Sequence, residues 1–592
     1  MRKLLLATLV WLYAANALAI DTELCGDGVD NATSGHTKGA CPTGWQDAVW
    51  GLGCDLACPY PDADADGYQA DVNDCDDSNR LIYPTITVAC GTDGWKTCQA
   101  DGTYTTCSET ELDESNSSTC ASSNSYYIDS VNGNDANNGL TRATAWQHLK
   151  MFAYHYDNGT KPAGYHTLVA GDVFYLMSGT YNESYQADGP WDNTLTIRNS
   201  IGTAACPVKI KAYPGETPIL TNPTGETGKP IYLYTSTDYL TIEGLTITNE
   251  EGYGSTTGID MLEANNINIR NNKIYDIRGV DDNNLAGVRI TGQQSGGHYN
   301  VTVSHNGIWD CYQADNIDIN SSCVVGFRGL GDKVNYNTCY YTIEQTSEGG
   351  TDGLKWKHSD ADTTLEMIGN VVYGTGRAGI SSGAPNSTVS NNRIYNIGNI
   401  SNAYTGSGIL YADIGGGCYF DNIEISSNTI VGVKSGFSID AISTYDTTPS
   451  DISFSNNIVI YARAADHGDS GLININAYAT AAEYQYYLDN DVFSIDNNCY
   501  YNSTDDTVHA WRFCSNNDSG KEGGWASATL AAWQESLGGW DASSAYEDVE
   551  LDVYQRATST NCADKGWKLT SQETQRVTSY KRIAGRGVWI IK

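Results

Sequence analysis

Two lysines, Lys355 and Lys357, sit in the densest cluster of chemistry-bearing side chains in this 592-residue chain. The stretch reads Glu348-Gly-Gly-Thr-Asp352-Gly-Leu-Lys355-Trp-Lys357-His358-Ser-Asp360-Ala-Asp362, and Arg377 follows it. In a strand the side-chain period of two puts both lysines on one face, roughly 7 Å apart. Such cations suit removal of a proton beside a carboxylate, because one neutralises the carboxylate while another group takes the proton. A lysine at its ordinary pKa of about 10.4 is a poor base, but desolvation or a like charge lowers that value.

The elements that position these residues announce themselves as a drifting repeat. Asn or Gly followed by β-branched and aromatic residues recurs around Gly244, Asn272, Asn306, Asn337, Asn370, Asn392, Asn428, Asn457 and Asn498. Short strands in register, joined by turns of variable length, make a solenoid. A second set of strands stacks as Gly258-Ile-Asp-Met-Leu262, Gly287-Val-Arg-Ile-Thr291, Asn316-Ile-Asp-Ile-Asn320, Gly353-Leu-Lys-Trp-Lys357 and Gly379-Ile-Ser-Ser-Gly383, with further rungs beyond. Their second residue is apolar and points inward. One outward column then reads Asp260, Arg289, Asp318, Lys355, Ser381, and the next reads Leu262, Thr291, Asn320, Lys357, Gly383. In this alignment Asp318 neighbours Lys355, so Lys357 is the better candidate base, Lys355 the alternative and Arg377 the candidate carboxylate clamp. Arg289, Asp318, Asn320 and His358 are the candidate substrate-binding residues. The alternating signs of Asp260, Arg289, Asp318 and Lys355 equally describe a salt-bridge ladder on a solvated face. Asn271, Asn391 and Asn457 are expected to form turn-stabilising ladders.

Residues 20–122 differ in kind. Asp62, Asp64 and Asp66 alternate before Gly67, and Asp74, Asp76 and Asp77 follow around Cys75. Carboxylates spaced so before a glycine can wrap a hard cation, which predicts calcium there, with the groove of the solenoid a second option. Nine of the 17 cysteines lie between Cys25 and Cys120, which predicts a small disulfide-stapled region in an exported protein. The hairpin from Cys90 through Cys98 to Cys107 belongs to it. Residues 1–19 carry the charged start, apolar run and small-residue end of a signal peptide. Seventy-one acidic against 34 basic residues give a net charge of -37, which disfavours nucleic acid and anionic membranes as partners.

Three resemblances refine these expectations. Asp62 to Pro84 resembles the Asp-rich, Asp-Cys-Asp-Asp metal-binding motif of large secreted bacterial proteins, itself similar to thrombospondin type 3 calcium repeats. Residues 126 to about 550 resemble secreted right-handed parallel β-helix proteins of the pectate-lyase-like group. The carriers are the cap motifs Tyr126-Tyr-Ile-Asp129, Ala145-Trp-Gln-His-Leu-Lys150 and Ala170-Gly-Asp-Val-Phe-Tyr-Leu176, and the closing segment from Ala532-Trp533-Gln534 to Ser544. Lys-Trp-Lys-His-Ser from Lys355 resembles the Val-Lys-Ser strand that bears the base in the alginate lyase and chondroitinase B family. That family's next coil carries an arginine within Leu-x-x-Arg-His-Gly; the corresponding strand here is Gly379 to Gly383, and Arg377 lies just before it.

The resulting expectation is an all-β, right-handed parallel β-helix over 123–515 with a short N-terminal capping helix. It is preceded by the disulfide-rich, metal-binding region 20–122 and followed by a capping segment, 516–592. The expected function is secreted, monomeric action on an acidic polysaccharide by β-elimination. The alternatives are a glycoside hydrolase using Asp260 and Asp318, or a non-catalytic carbohydrate-binding or surface-structural protein.

Overall fold

The computed structural model describes residues 123–546 apart from stretches between strands, among them 314–320, 342–350 and 358–360, and shorter pieces on either side. The chain divides into one compact unit of Thr110–Thr570 and another of Met1–Glu109 with Ser571–Lys592. In the second unit the described elements include an antiparallel hairpin of Thr87–Cys90 and Gly94–Thr97. Cys98 beside it is disulfide-bonded. The calcium-type residues Asp62, Asp64, Asp66, Asp74, Asp76 and Asp77 lie outside the described residues.

The larger unit is a right-handed parallel β-helix: three 12-stranded sheets, each coil giving one strand to each sheet in turn. Parallel neighbours require a crossover connection, and a right-twisted strand makes that crossover right-handed. Only the final pair of one sheet, Trp511–Phe513 with Trp525–Ser527, is antiparallel. Ile, Val, Leu and Phe side chains from the three sheets fill the interior in one continuous core.

The asparagine echo is a hydrogen-bonded column inside that core. The side-chain and backbone amides of Asn272 donate to Oδ1 of Asn306, at 3.0 and 2.9 Å. The pattern repeats through Asn337, Asn370, Asn392, Asn428 and Asn457 to Asn498. Each amide also donates to a backbone carbonyl of an earlier strand, as Asn370 does to Val334 at 2.7 Å. These side chains are completely buried or nearly so, and they are tolerated because they satisfy one another. Asn457 is thus in the ladder as expected, whereas Asn271 and Asn391 each precede a ladder member. They occupy the turn itself, with φ of 56° at both. Asparagine accepts this left-handed backbone more readily than most residues.

A glycine column faces inward from the lysine-bearing sheet. A Cβ on Gly353, Gly379 or Gly408 would lie 2.3–2.4 Å from a methyl of Val372, Ile394 or Ile430. In the same column Cys323 replaces glycine, and in the facing one Cys339 replaces the branched aliphatic residue. The two form a disulfide, so a covalent bond stands where the other coils have a close packing contact.

The ends are closed differently. At the start, Ser125–Ile128 pairs with Val173–Leu176. The capping helix is realised as two single 3₁₀ turns, Arg142–Thr144 and Leu149–Met151. Asp135 accepts from the backbone amides of Gln147 and His148, both at 3.0 Å, which diverts them from a longer helix. Trp146 between the turns stacks on Tyr126 at 4.9 Å. Cys120 bonds to Cys206, so it staples this end of the β-helix rather than the cysteine-rich head. At the far end the helix Leu530–Ser536 places buried Trp533 against Asp541.

Candidate functional site

Lys355 and Lys357 lie on the strand Asp352–Lys357, whose Leu354 and Trp356 are fully buried in the core. Alternation therefore aims both lysines out of the sheet. Gly353 interrupts it: its missing side chain points inward between Val372 and Cys339. Consequently Asp352 and Lys355 meet on the outer side, Oδ2 to Nζ, at 2.7 Å. Arg377, immediately before the strand Ala378–Ser382, grips the same carboxylate with two donors: Nε reaches Oδ1 at 2.8 Å and a terminal nitrogen reaches Oδ2.

The rung before this strand is Ser322–Phe327, not the expected Asn316 to Asn320. Its Val325 and Phe327 pair in register with Lys355 and Lys357. The neighbour of Lys355 in that column is therefore an apolar valine, and its acid partner comes from its own strand. Asp318, Asn320 and His358 lie outside the described residues. Asn-Ile-Asp-Ile-Asn alternates more cleanly than Ser-Cys-Val-Val-Gly-Phe. The true rung hides because Cys323 takes the glycine position and Val325 is an outward apolar residue.

This outward face is not solvated as expected. Lys355 and Asp352 are 0% exposed, Lys357 is 7% exposed, and the Arg377 side chain 23%. Burial pushes the Lys355 ammonium down, Asp352 pushes it back up, and Arg377 and Lys357 push it down again, leaving a pKa of about 7. Burial would raise the Asp352 carboxyl, but Arg377 and Lys355 outweigh it and hold the group below its ordinary range. Near neutral pH Lys355 is therefore poised between its charged and neutral forms, beside an anionic Asp352 that the Arg377 guanidinium also holds. Lys357 also lies over the Phe327 ring, 6.0 Å from its centroid.

Two to four rungs toward the N-terminus is a second ionic group. Asp260 accepts two bonds from Arg289, Nε to Oδ1 at 2.9 Å and a terminal nitrogen to Oδ2 at 2.8 Å, and also faces Lys229. The salt-bridge reading of the column thus holds for Asp260 and Arg289. Burial would raise the Asp260 carboxyl, yet Lys229 and Arg289 hold it far below its usual value. Asp260 is consequently a fixed anion, the wrong state for a hydrolase's general acid.

Sequence reasoning gave Asp352 and Lys229 no role. For Asp352 the available signal was Gly353, since a glycine inside a strand pattern marks a break in alternation. On the echo sheet, Tyr340 belongs to an outward stack of Tyr275, Trp309, Tyr340, Tyr373 and Tyr395, with neighbouring centroids 4.6–5.7 Å apart. Tyr341 is core, its hydroxyl donating to the Cys311 carbonyl at 3.1 Å. Among the described residues no group of three or more metal-ligating side chains converges, and no helix is long and apolar enough to cross a membrane.

No protein-family model matches the chain, and no curated protein matches it. Solved structures that resemble it include pectate lyase Pel9A, at 14% identity over 59% of this chain and 79% of that one, with a TM-score of 0.39. A GH136 lacto-N-biosidase from Eubacterium ramulus aligns at 16% identity over 67% of this chain and 66% of that one, with a TM-score of 0.42. An alginate lyase from Paenibacillus sp. str. FPU-7 aligns at 17% identity over 52% of this chain and 93% of that one, with a TM-score of 0.34.

Proposed function

We propose that the chain is an exported lyase that cleaves a uronic-acid polysaccharide by β-elimination on the lysine-bearing face of its β-helix. One observation carries this reading: Lys355 is held beside Asp352, Arg377 and Lys357 in surroundings that bring its pKa to about 7. A base works best with a pKa near the operating pH. In this role Lys355, rather than Lys357, takes the proton at the carbon bearing the uronate carboxylate. The electrons of that C–H bond form the new carbon–carbon double bond, the bond to the leaving glycosidic oxygen breaks, and that oxygen takes a proton from solvent water as it departs, the Lys355 ammonium later returning its own proton to solvent. Lys357 and Arg377 supply the positive charge that stabilises the carboxylate as the proton leaves. The protein then acts as a secreted monomer on an acidic glycan, with calcium held by Asp62, Asp64, Asp66, Asp74, Asp76 and Asp77 in the head.

A specific observation favours a second reading. Lys355 has no exposed surface, and a base must come within hydrogen-bond reach of the proton it removes. Asp352, Lys355 and Arg377 would then be a buried structural network in a non-catalytic glycan-binding β-helix. The test is ultraviolet detection of unsaturated products from alginate, pectate, chondroitin and algal polysaccharides. Activity on one of them that is lost in Lys355→Met, with the fold retained, supports the lyase. Full activity in that variant removes Lys355 from the mechanism, and reducing sugar without the ultraviolet signal points to hydrolysis.

A further inference from the structure

Arginines on this acidic chain are typically matched to carboxylates. Arg142 faces Glu216, Arg270 faces Glu243, Arg278 faces Asp276, Arg289 faces Asp260 and Arg377 faces Asp352. Arg198 is different. Among the described residues no carboxylate pairs with it. Among the described residues its side chain donates from a terminal nitrogen to the Tyr154 hydroxyl, at 3.0 Å. Its guanidinium carbon instead lies 4.7 Å from the Tyr234 ring centroid and 5.3 Å from that of Tyr154.

The surroundings are built, not incidental. Arg198 directly follows the strand Leu195–Ile197, the first rung of the lysine-bearing sheet. Tyr234 follows the next rung, and its amide donates to the Ile197 carbonyl at 2.8 Å. Tyr154 is fastened to the same edge by its own amide, which donates to Thr196 at 2.8 Å. Tyr232, 5.4 Å from Tyr234, extends the aromatic surface, and Lys229 lies over its ring. Continuing the register, the outward column runs Arg198, Tyr234, Leu262, Thr291, Phe327, Lys357. Five rung spacings separate its two cations, about 24 Å.

We infer that Arg198, with Tyr154 and Tyr234, is a distal subsite for an anionic sugar of the polymer processed at Lys355. This rests on the lyase reading. A guanidinium resting on aromatic rings keeps its full charge and a fixed plane, and its uncommitted N–H groups can take a carboxylate or sulfate by two parallel hydrogen bonds. The tyrosine rings offer apolar surface to the sugar's C–H groups. The separation means that only an oligomer can occupy both ends, so the subsite confers a preference for long chains.

The test compares wild type with Arg198→Gln for retention on polygalacturonate, alginate and chondroitin sulfate, with dextran as the neutral control. KM and kcat are measured on polymer and on short oligomers of whichever acidic glycan is cleaved. The expected result is retention on the acidic polymer weakened roughly tenfold or more, from loss of a charge-assisted pair, and unchanged kcat on short oligomers. Arg198→Lys, which keeps the charge but not the planar fork, should recover only part. Equal retention of wild type and Arg198→Gln overturns the subsite while leaving the lyase reading intact. Retention that depends on Arg198 without any cleavage sinks the lyase reading and keeps the subsite. If wild type is retained on none of the three acidic polymers and yields no unsaturated product from them or from algal polysaccharides, both fall.

Discussion

Replacing Lys355 with methionine should change how stability depends on pH. The substitution keeps roughly the volume of the side chain and leaves Asp352 with its two bonds from Arg377. In wild type the ammonium is destabilised by folding: its pKa is 10.5 in the reference state and about 7 in the structure. Between those values the unfolded chain binds a proton that the folded chain does not, so stability rises with pH across the window and is lowest below about 7. At about 1.4 kcal/mol per pH unit the full rise is on the order of 5 kcal/mol, or roughly a few thousandfold in an opening equilibrium. Methionine carries no proton, so the variant should lack this component. A solenoid can open locally, so the suitable assay is hydrogen exchange of the Asp352–Lys357 amides from pH 7 to pH 10. Running both proteins together cancels the intrinsic pH dependence of exchange. Wild-type protection should climb relative to the variant as pH rises. Parallel protection profiles would refute the reasoning, because they would mean that folding does not perturb Lys355, and the main support for its role as a base would go with it.

Three further outcomes are expected. Asn370→Ala removes the acceptor for the Asn337 backbone amide and the donor to Val334, both inside the core, and should cost about 2–5 kcal/mol in denaturant unfolding; a loss under about 0.5 kcal/mol would show the ladder to be energetically idle. Cys323→Ser should destabilise by about 2–4 kcal/mol, whereas Cys323→Gly with Cys339→Ile rebuilds the contact used in neighbouring coils and should recover much of that loss; a double variant no better than the single one would contradict the equivalence. For the head, chelator should lower the melting temperature of the full chain, and Asp64→Asn with Asp66→Asn should abolish the difference; melting that ignores chelator would remove calcium from the account.

Much of the scaffold was legible because its signals are local. The ladder asparagines, the turn residues before them and the inward apolar positions recur in almost every coil, and each follows from a backbone requirement that a short sequence window contains. The site was legible only in part. Two lysines at a spacing of two must share a face, whichever rung lies beneath them. Which rung that is depends on pairing across a loop, and Asn316 to Asn320 imitated a strand better than Ser322–Phe327 did. Burial was equally hidden, because alternation says which way Lys355 points but not how much protein covers it. The partnership of Asp352 with Lys355 breaks strict alternation, and it exists because Gly353 turns inward.

The asparagine column also has a polarity. From one asparagine to the next, each amide donates toward the C-terminal end and accepts from the N-terminal side, beginning where Leu245 donates to Asn272 and ending where Asn498 donates to Asp541. Aligned amide dipoles strengthen one another, and this alignment leaves its positive end at the C-terminal cap. There Asp541 meets it with a buried carboxyl that also accepts from Tyr500 and Trp533. The column is thus a directional electrostatic element whose terminator lies in a separate segment of chain. Coils could be added or removed between its ends without disturbing the match, but the two ends could not be exchanged.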